Sequence, residues 1–426
     1  MKEERILNML SEVDETYIAQ AADVRRPPAW HRYLGWGSAA ACAVIALCIC
    51  LRSLTAGVNR PVEPNTPGNG IQTADPAADS HTAPDSPEAE ELPILSARFE
   101  SGAMGFEGLL YYDISEAENA NPWTREHTPA SLPVYRNSAY TDGSGLSVFL
   151  SDEAMLELAE QTAVALGTSV DHTEFRRVHD IIDYNIEGLS GTEAYSLTAK
   201  TAFGEIDVYG NGQIRIFFSE PVILPEEYSF TYSHTTDDEA FDVIRYLTER
   251  YSGLCPFEKI TADTGGDYTY YGDRIRFYEA YDGGGDLTQQ ILSYHFNRIS
   301  FGPDDDGNLF VIWLGNLLTG AQKVGDYPLI SADTARSLLL SGESITTVPE
   351  DYLLGGMITE AQIAKTELVY RTGNTSELFM PYYRFYVELT NFDAGTEAGL
   401  TCYGIYYVPA VSGEYLSDFP VWNGQF

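Results

Sequence analysis

The stretch Glu205-Ile-Asp-Val-Tyr-Gly-Asn-Gly-Gln-Ile-Arg-Ile-Phe-Phe-Ser219 decides the fold. Apolar and polar residues alternate on both sides of Gly210-Asn211-Gly212, so each arm can bury one face and turn the other outward. Glycine and asparagine accept the left-handed backbone of a tight turn, and the stretch is expected to be a β-hairpin. Residues 195–201 are expected to add a further strand. Upstream, Ser151 is placed to cap a helix with Met155, Leu158, Ala159, Thr162 and Leu166 on one face, ended by Gly167.

Working outward, the order of helix then strands recurs twice. Thr236-Asp-Asp-Glu239 has the form of a capping box and opens a helix carrying Phe241, Ile244, Leu247 and Tyr251. Strands are expected near 268–281, 288–301 and 309–314. Ser331 caps a third helix through Ala335, Leu338 and Leu340, with strands near 364–371, 382–390 and 400–409. The openings Ser151-Asp-Glu-Ala154, Asp237-Asp-Glu-Ala240 and Ser331-Ala-Asp-Thr-Ala335 read as a repeat. The expected fold class is α+β, with repeated helix-plus-antiparallel-sheet units over 95–230, 231–326 and 327–426.

The N-terminal part is of another kind. Tyr33-Leu-Gly-Trp-Gly-Ser-Ala-Ala-Ala-Cys-Ala-Val-Ile-Ala-Leu-Cys-Ile-Cys-Leu51 contains no charge and is long enough to span a bilayer as a helix. Arg25, Arg26 and Arg32 precede it, which places the N-terminus in the cytoplasm and the C-terminal domain outside the cell. Residues 1–32 read as an amphipathic helix (Ile6, Leu7, Leu10, Val13, Tyr17, Ile18) with a basic flank, open to a protein partner or the membrane surface. Residues 52–94, rich in Pro, Ala and acids, read as a disordered stalk. Five basic against six acidic residues leave the first 33 positions at −1, so the rest carries −37 of the chain's −38. A domain this acidic repels nucleic acid and anionic head groups.

The sequence picks out no catalytic, cofactor-binding or metal-binding residue. His172 and His179 could share a helical face but lack the four-residue spacing of ligands over one turn. Asp304, Asp306 and Asn308 resemble the start of a calcium loop, but the glycine is misplaced and Gly315 stands where the bidentate Glu belongs, so a β-turn is expected. Gly143-Ser144-Gly145 has no positioned histidine. Cys255 and Cys402 are the two cysteines outside the apolar segment, and an extracytoplasmic space permits a disulfide between them. The 29 tyrosines suit cross-strand packing, or recognition of sugar rings or peptides.

Two stretches carry a resemblance. Tyr382-Tyr-Arg-Phe-Tyr-Val-Glu388 and Gly404-Ile-Tyr-Tyr-Val-Pro-Ala410 resemble PepSY-type extracytoplasmic domains, which occur in membrane-anchored accessory regulators of histidine kinases. The N-terminal Ile6-Leu-Asn-Met-Leu-Ser-Glu-Val-Asp-Glu-Thr-Tyr17, with its basic flank and span, resembles single-pass membrane proteins of Firmicutes with anti-sigma-like N-termini. This chain departs from the anti-sigma pattern in having no His/Cys zinc motif before the span. The resemblance implies a regulator or sensor without chemistry of its own, binding a protein, peptide or cell-wall component. The rivals are a hydrolase of cell-wall polymer, with two carboxylates facing across a cleft, and a carbohydrate-binding surface protein with exposed coplanar tyrosines.

Overall fold

The computed structural model describes residues 91–96, 111–137, 150–180, 192–269, 271–315, 317–372, 376–392, 399–418 and 422–423. The cytoplasmic helix, the span at 33–51, nearly all of the stalk and Gly143-Ser144-Gly145 lie outside the described residues. No helix of the described residues is long and apolar enough to cross a membrane.

Along the chain, β1 (Leu95–Ser96) and β2 (Ser131–Arg136) precede α1 (Asp152–Ala165). Four strands follow: β3 (Val170–Arg177), β4 (Ala194–Thr201), β5 (Gly204–Tyr209) and β6 (Ile214–Val222). After α2 (Asp237–Arg250) come β7 (Ile260–Asp263), β8 (Gly266–Tyr268), β9 (Arg274–Arg276) and β10 (Glu279–Asp282). Next are α3 (Leu287–Phe296), β11 (Arg298–Pro303), β12 (Leu309–Leu314), β13 (Gln322–Pro328) and α4 (Ala332–Leu340). The last part holds β14 (Ile345–Thr346), β15 (Ile363–Tyr370), β16 (Leu378–Phe379), β17 (Pro381–Glu388), β18 (Tyr403–Pro409), β19 (Leu416–Asp418) and β20 (Trp422–Asn423). The fold is α+β, dominated by antiparallel pairing.

The hairpin forms as its alternation dictates. Ile206, Val208, Ile214 and Ile216 are buried on one face, while Glu205, Asp207, Arg215 and Phe217 alternate on the other. At the turn, Gly212 has φ +85° and Asn211 Oδ1 accepts the Gln213 N–H at 3.0 Å. This hairpin lies within an eight-stranded antiparallel sheet of order β3-β4-β5-β6-β12-β11-β10-β7. Strands from both sides of the 230/231 boundary therefore share one sheet, joined where β6 meets β12.

Helices α1 and α2 cover one face of that sheet and enclose the first core, which includes Met155, Leu158, Ile206, Ile216, Ile244 and Leu247. Burying each such side chain stabilises the fold by roughly 1.5–3 kcal/mol. The expected face of α1 is buried at Met155, Leu158, Ala159 and Thr162. That of α2 is turned: Ala240, Val243, Ile244 and Leu247 are buried, whereas Phe241 is 39% exposed. In α4 likewise, Ala335 and Leu339 are buried and Leu340 faces outward.

The five-stranded sheet β15-β17-β18-β14-β20 has apolar residues on both faces, which explains its near-continuous hydrophobic sequence. Tyr383, Phe385 and Val387 enter a core shared with α3 and α4, whereas Tyr382 and Tyr386 enter another shared with β2 and β13. Most of these tyrosines are spent in packing. Tyr327 O–H donates to the Pro93 carbonyl at 2.9 Å, so the last residues read as stalk rest against this body.

Three expectations are corrected. Residues 288–301 are not one strand: α3 occupies Leu287–Phe296, and only then does β11 begin. The cause is Asp286, whose carboxylate accepts the Gln289 N–H at 2.9 Å while the Gln289 side chain accepts the Asp286 N–H at 2.8 Å. Residues 268–281 break into the short strands β8, β9 and β10. Cys255 sits in the first core and Cys402 in the core of the five-stranded sheet, and no bridge joins them.

Candidate functional site

A strap, residues 111–123, runs between the two large sheets and hydrogen-bonds to both. It opens with a 3-10 turn, Ile114–Ala117, capped by Asp113 and Glu116. Toward the eight-stranded sheet, Ala120 N donates to Asp263 Oδ1 at 3.1 Å, and Tyr281 O–H donates to the Ala120 carbonyl at 2.7 Å. Toward the five-stranded sheet, Asn119 Nδ2 donates to Glu367 Oε1 at 2.8 Å and Asn121 Nδ2 to the Leu368 carbonyl at 3.0 Å. Two buried ion clusters lie beneath it.

In the first, Arg298 binds both Asp263 (2.5 Å) and Glu279, with its guanidinium 4.7 Å from the Tyr294 ring centroid. In the second, Glu367 accepts from Lys365 (2.6 Å), Arg384 (2.6 Å) and the Tyr386 hydroxyl (2.8 Å). Burial works against the Glu367 carboxylate, but Arg384 and Lys365 overcome it and hold its pKa at about 2. His295 is buried beside Arg298 and Arg384; burial and those two cations push it down to about 3, so the imidazole is neutral. These carboxylates face arginines and the strap, not an open groove. Each cluster lies within one sheet and fastens the strap to it.

The open chemistry lies on the other half of the eight-stranded sheet, on the face away from α1 and α2. Register places Glu174, Thr198, Asp207, Arg215, Trp313, Ser300, Glu279 and Asp263 in one cross-strand row. A second row runs His172, Lys200, Glu205, Phe217, Val311 and Gly302. The first row ends under the strap at Asp263. At β4, β5, β6 and β12, Thr198, Asp207, Arg215, Phe217 and Trp313 are half-buried.

At its centre, Arg215 lies 4.5 Å from the Phe217 ring centroid and 5.5 Å from that of Tyr209. Its terminal nitrogen binds Asp207 Oδ2 at 2.9 Å, and Thr198 O–H donates to Asp207 Oδ1 at 2.7 Å. Arg215 Nε is buried with no partner among the described residues. Burial pushes the Tyr209 hydroxyl up to about 12, so it remains a neutral donor. Gly302 shapes the neighbouring position. A Cβ there would come within 2.8 Å of Trp313 Cζ3 and 2.6 Å of Val311 Cγ1, so the indole leans across the sheet over the glycine.

Of the residues singled out in the sequence, His172 falls on this face, at the β3 end of the second row. His172 is on strand β3 and His179 in a 3-10 turn, so they share no helical face. Asp304 Oδ1 accepts the N–H groups of Asp306 (3.0 Å) and Asn308 (2.7 Å), closing a turn around Gly307 at φ +84°. Among the described residues no three His, Cys, Asp or Glu side chains are grouped to hold a metal ion. Sequence reasoning missed the Arg215 row, because only strand register shows that Thr198, Asp207, Arg215 and Trp313 stand side by side. No protein-family model matches the chain, and no curated protein matches it.

Proposed function

We propose that this chain is a membrane-anchored, extracytoplasmic regulatory or sensor protein, non-catalytic, that binds a protein, peptide or cell-wall component. The observation that carries the reading is the contrast between its two sets of polar groups. The ion clusters around Arg298 and Glu367 are buried beneath the strap, whereas the Asp207–Arg215 pair and Trp313 are half-buried on a sheet face. A rigid sheet presenting preorganised side chains is suited to recognition. The uncharged run at 33–51 with arginines before it supports an anchor whose C-terminal side lies outside the cell. We read α1, α2 and α4, each with the strands after it, as three helix-plus-sheet units, the last of them PepSY-like; the first two share one sheet, and the second contains the additional helix α3.

Topology is tested with tags on the two termini in intact cells treated with protease. The expected result is loss of the C-terminal tag and protection of the N-terminal one; the reverse pattern overturns the reading. Retention of full-length chain on purified cell-wall sacculi tests the binding half of the proposal.

A further inference from the structure

We infer that the half-open face around Arg215 and Trp313 binds an uncharged glycan, with a pyranose ring laid on the Trp313 indole. The inference rests on the reading of this face as the binding surface, and names its ligand class.

Three observations carry it. First, the face is electrically balanced although the chain carries −38. In the registered rows of β3 to β6, Arg176, Lys200 and Arg215 stand against Glu174, Glu205 and Asp207, and two of these pairs are in contact at 3.6 Å and 2.9 Å. A charged polymer would gain nothing here that the neighbouring charge does not already supply, so an uncharged ligand is the complementary one.

Second, the chemistry alternates as a sugar requires. The Trp313 indole leans over Gly302, where the Tyr232 hydroxyl also comes close, and gives apolar area for the C–H face of a ring; the Phe217 ring in the next row is taken by the Arg215 guanidinium. Around them, the Asp207 carboxylate and the Thr198 oxygen keep lone pairs for hydroxyl groups beside the bonds they already make, whereas the Ser300 O–H is given to Glu279. The Arg215 Nε–H has no partner among the described residues.

Third, β4, β5, β6 and β12 are interior strands whose backbone groups are already paired on both sides. An added peptide strand would find no free ladder there. A saccharide needs only side chains.

The test is calorimetric titration of the full-length chain, in a detergent without sugar head groups, with chitotetraose and cellotetraose. Poly-galacturonate serves as the anionic control and a pool of extended peptides as the alternative ligand. Binding of a neutral oligosaccharide is expected, weakened about thirtyfold by Trp313→Ala. Two milder variants guard against loss of fold. Asp207→Asn keeps shape but alters the hydroxyl acceptor, and Gly302→Ala displaces the indole without removing it; both are expected to weaken binding with an unchanged circular dichroism spectrum. No binding of either neutral oligosaccharide overturns the inference, as does saccharide binding indifferent to all three substitutions. Preference for poly-galacturonate, or peptide binding sensitive to Trp313→Ala, also overturns it while leaving the face as the binding surface.

Discussion

At the scale of single residues, the fastening charges set how stability depends on pH. Removing Glu367 by Glu367→Ala would leave Arg384 and Lys365 without their carboxylate in a buried site, and a loss of about 3–5 kcal/mol is expected in urea denaturation. The pH signs oppose one another. Glu367 is depressed from 4.5 to about 2, so its stabilisation is present above pH 4.5 and is lost as pH falls toward 2. Glu116 is raised from 4.5 to about 7, chiefly by burial, although it accepts N–H bonds from Tyr268, Tyr112 and Asp113. The carboxylic acid form is therefore favoured in the folded chain, and this stability is present below pH 4.5 and lost as pH rises through 7. His295 works against that trend, because its depressed pKa costs stability as pH falls below 6.5. The clean measurement is the difference between the chain and Glu116→Gln. That difference should change by up to about 3 kcal/mol between pH 4.5 and 7, whereas a flat difference contradicts the burial argument.

At the scale of elements, local signals written in a few consecutive residues were legible and long-range pairings were not. Ser151, Thr236 and Ser331 each cap the helix expected of them, accepting the N–H groups of Ala154, Glu239 and Thr334. The alternation in β5 and β6 specifies strands because each arm has one buried face. In the sequence of α3, Ile291-Leu-Ser-Tyr-His-Phe296 is rich in residues that favour sheets and reads as strand; the capping box at Asp286 and Gln289 is the local signal that outweighs it. Loss of that cap in Asp286→Ala is expected to destabilise the protein by about 1 kcal/mol, read as a lower urea midpoint. An unchanged midpoint would mean that packing of Ile291 and Phe296 alone holds the helix. The strap has no apolar period to betray it, since it is fixed by side chains on two distant sheets. The pairing of β2 with both β13 and β16 joins residues roughly two hundred or more positions apart and is likewise invisible to a local pattern.

At the scale of the whole molecule, one strongly acidic chain carries an electrically balanced patch. If that patch is the binding surface, association should change little from about 0.05 to about 0.5 M salt, a range over which a charge-driven contact is strongly screened. A steep fall across that range would assign binding to the acidic surface instead. The candidate site was only half legible in the sequence. Residues 205–219 already place Asp207, Arg215 and Phe217 on the outward side of a hairpin, but Trp313 and Ser300 join them only through the β6–β12 pairing. The most direct measurement is the fraction of full-length chain retained on purified cell-wall sacculi, compared among the unaltered chain, Trp313→Ala and Leu354→Ser, the last at a remote side chain that is 76% exposed. The account predicts retention of the unaltered chain and of Leu354→Ser, and release of Trp313→Ala. Equal retention of all three, or no retention of any, would contradict it.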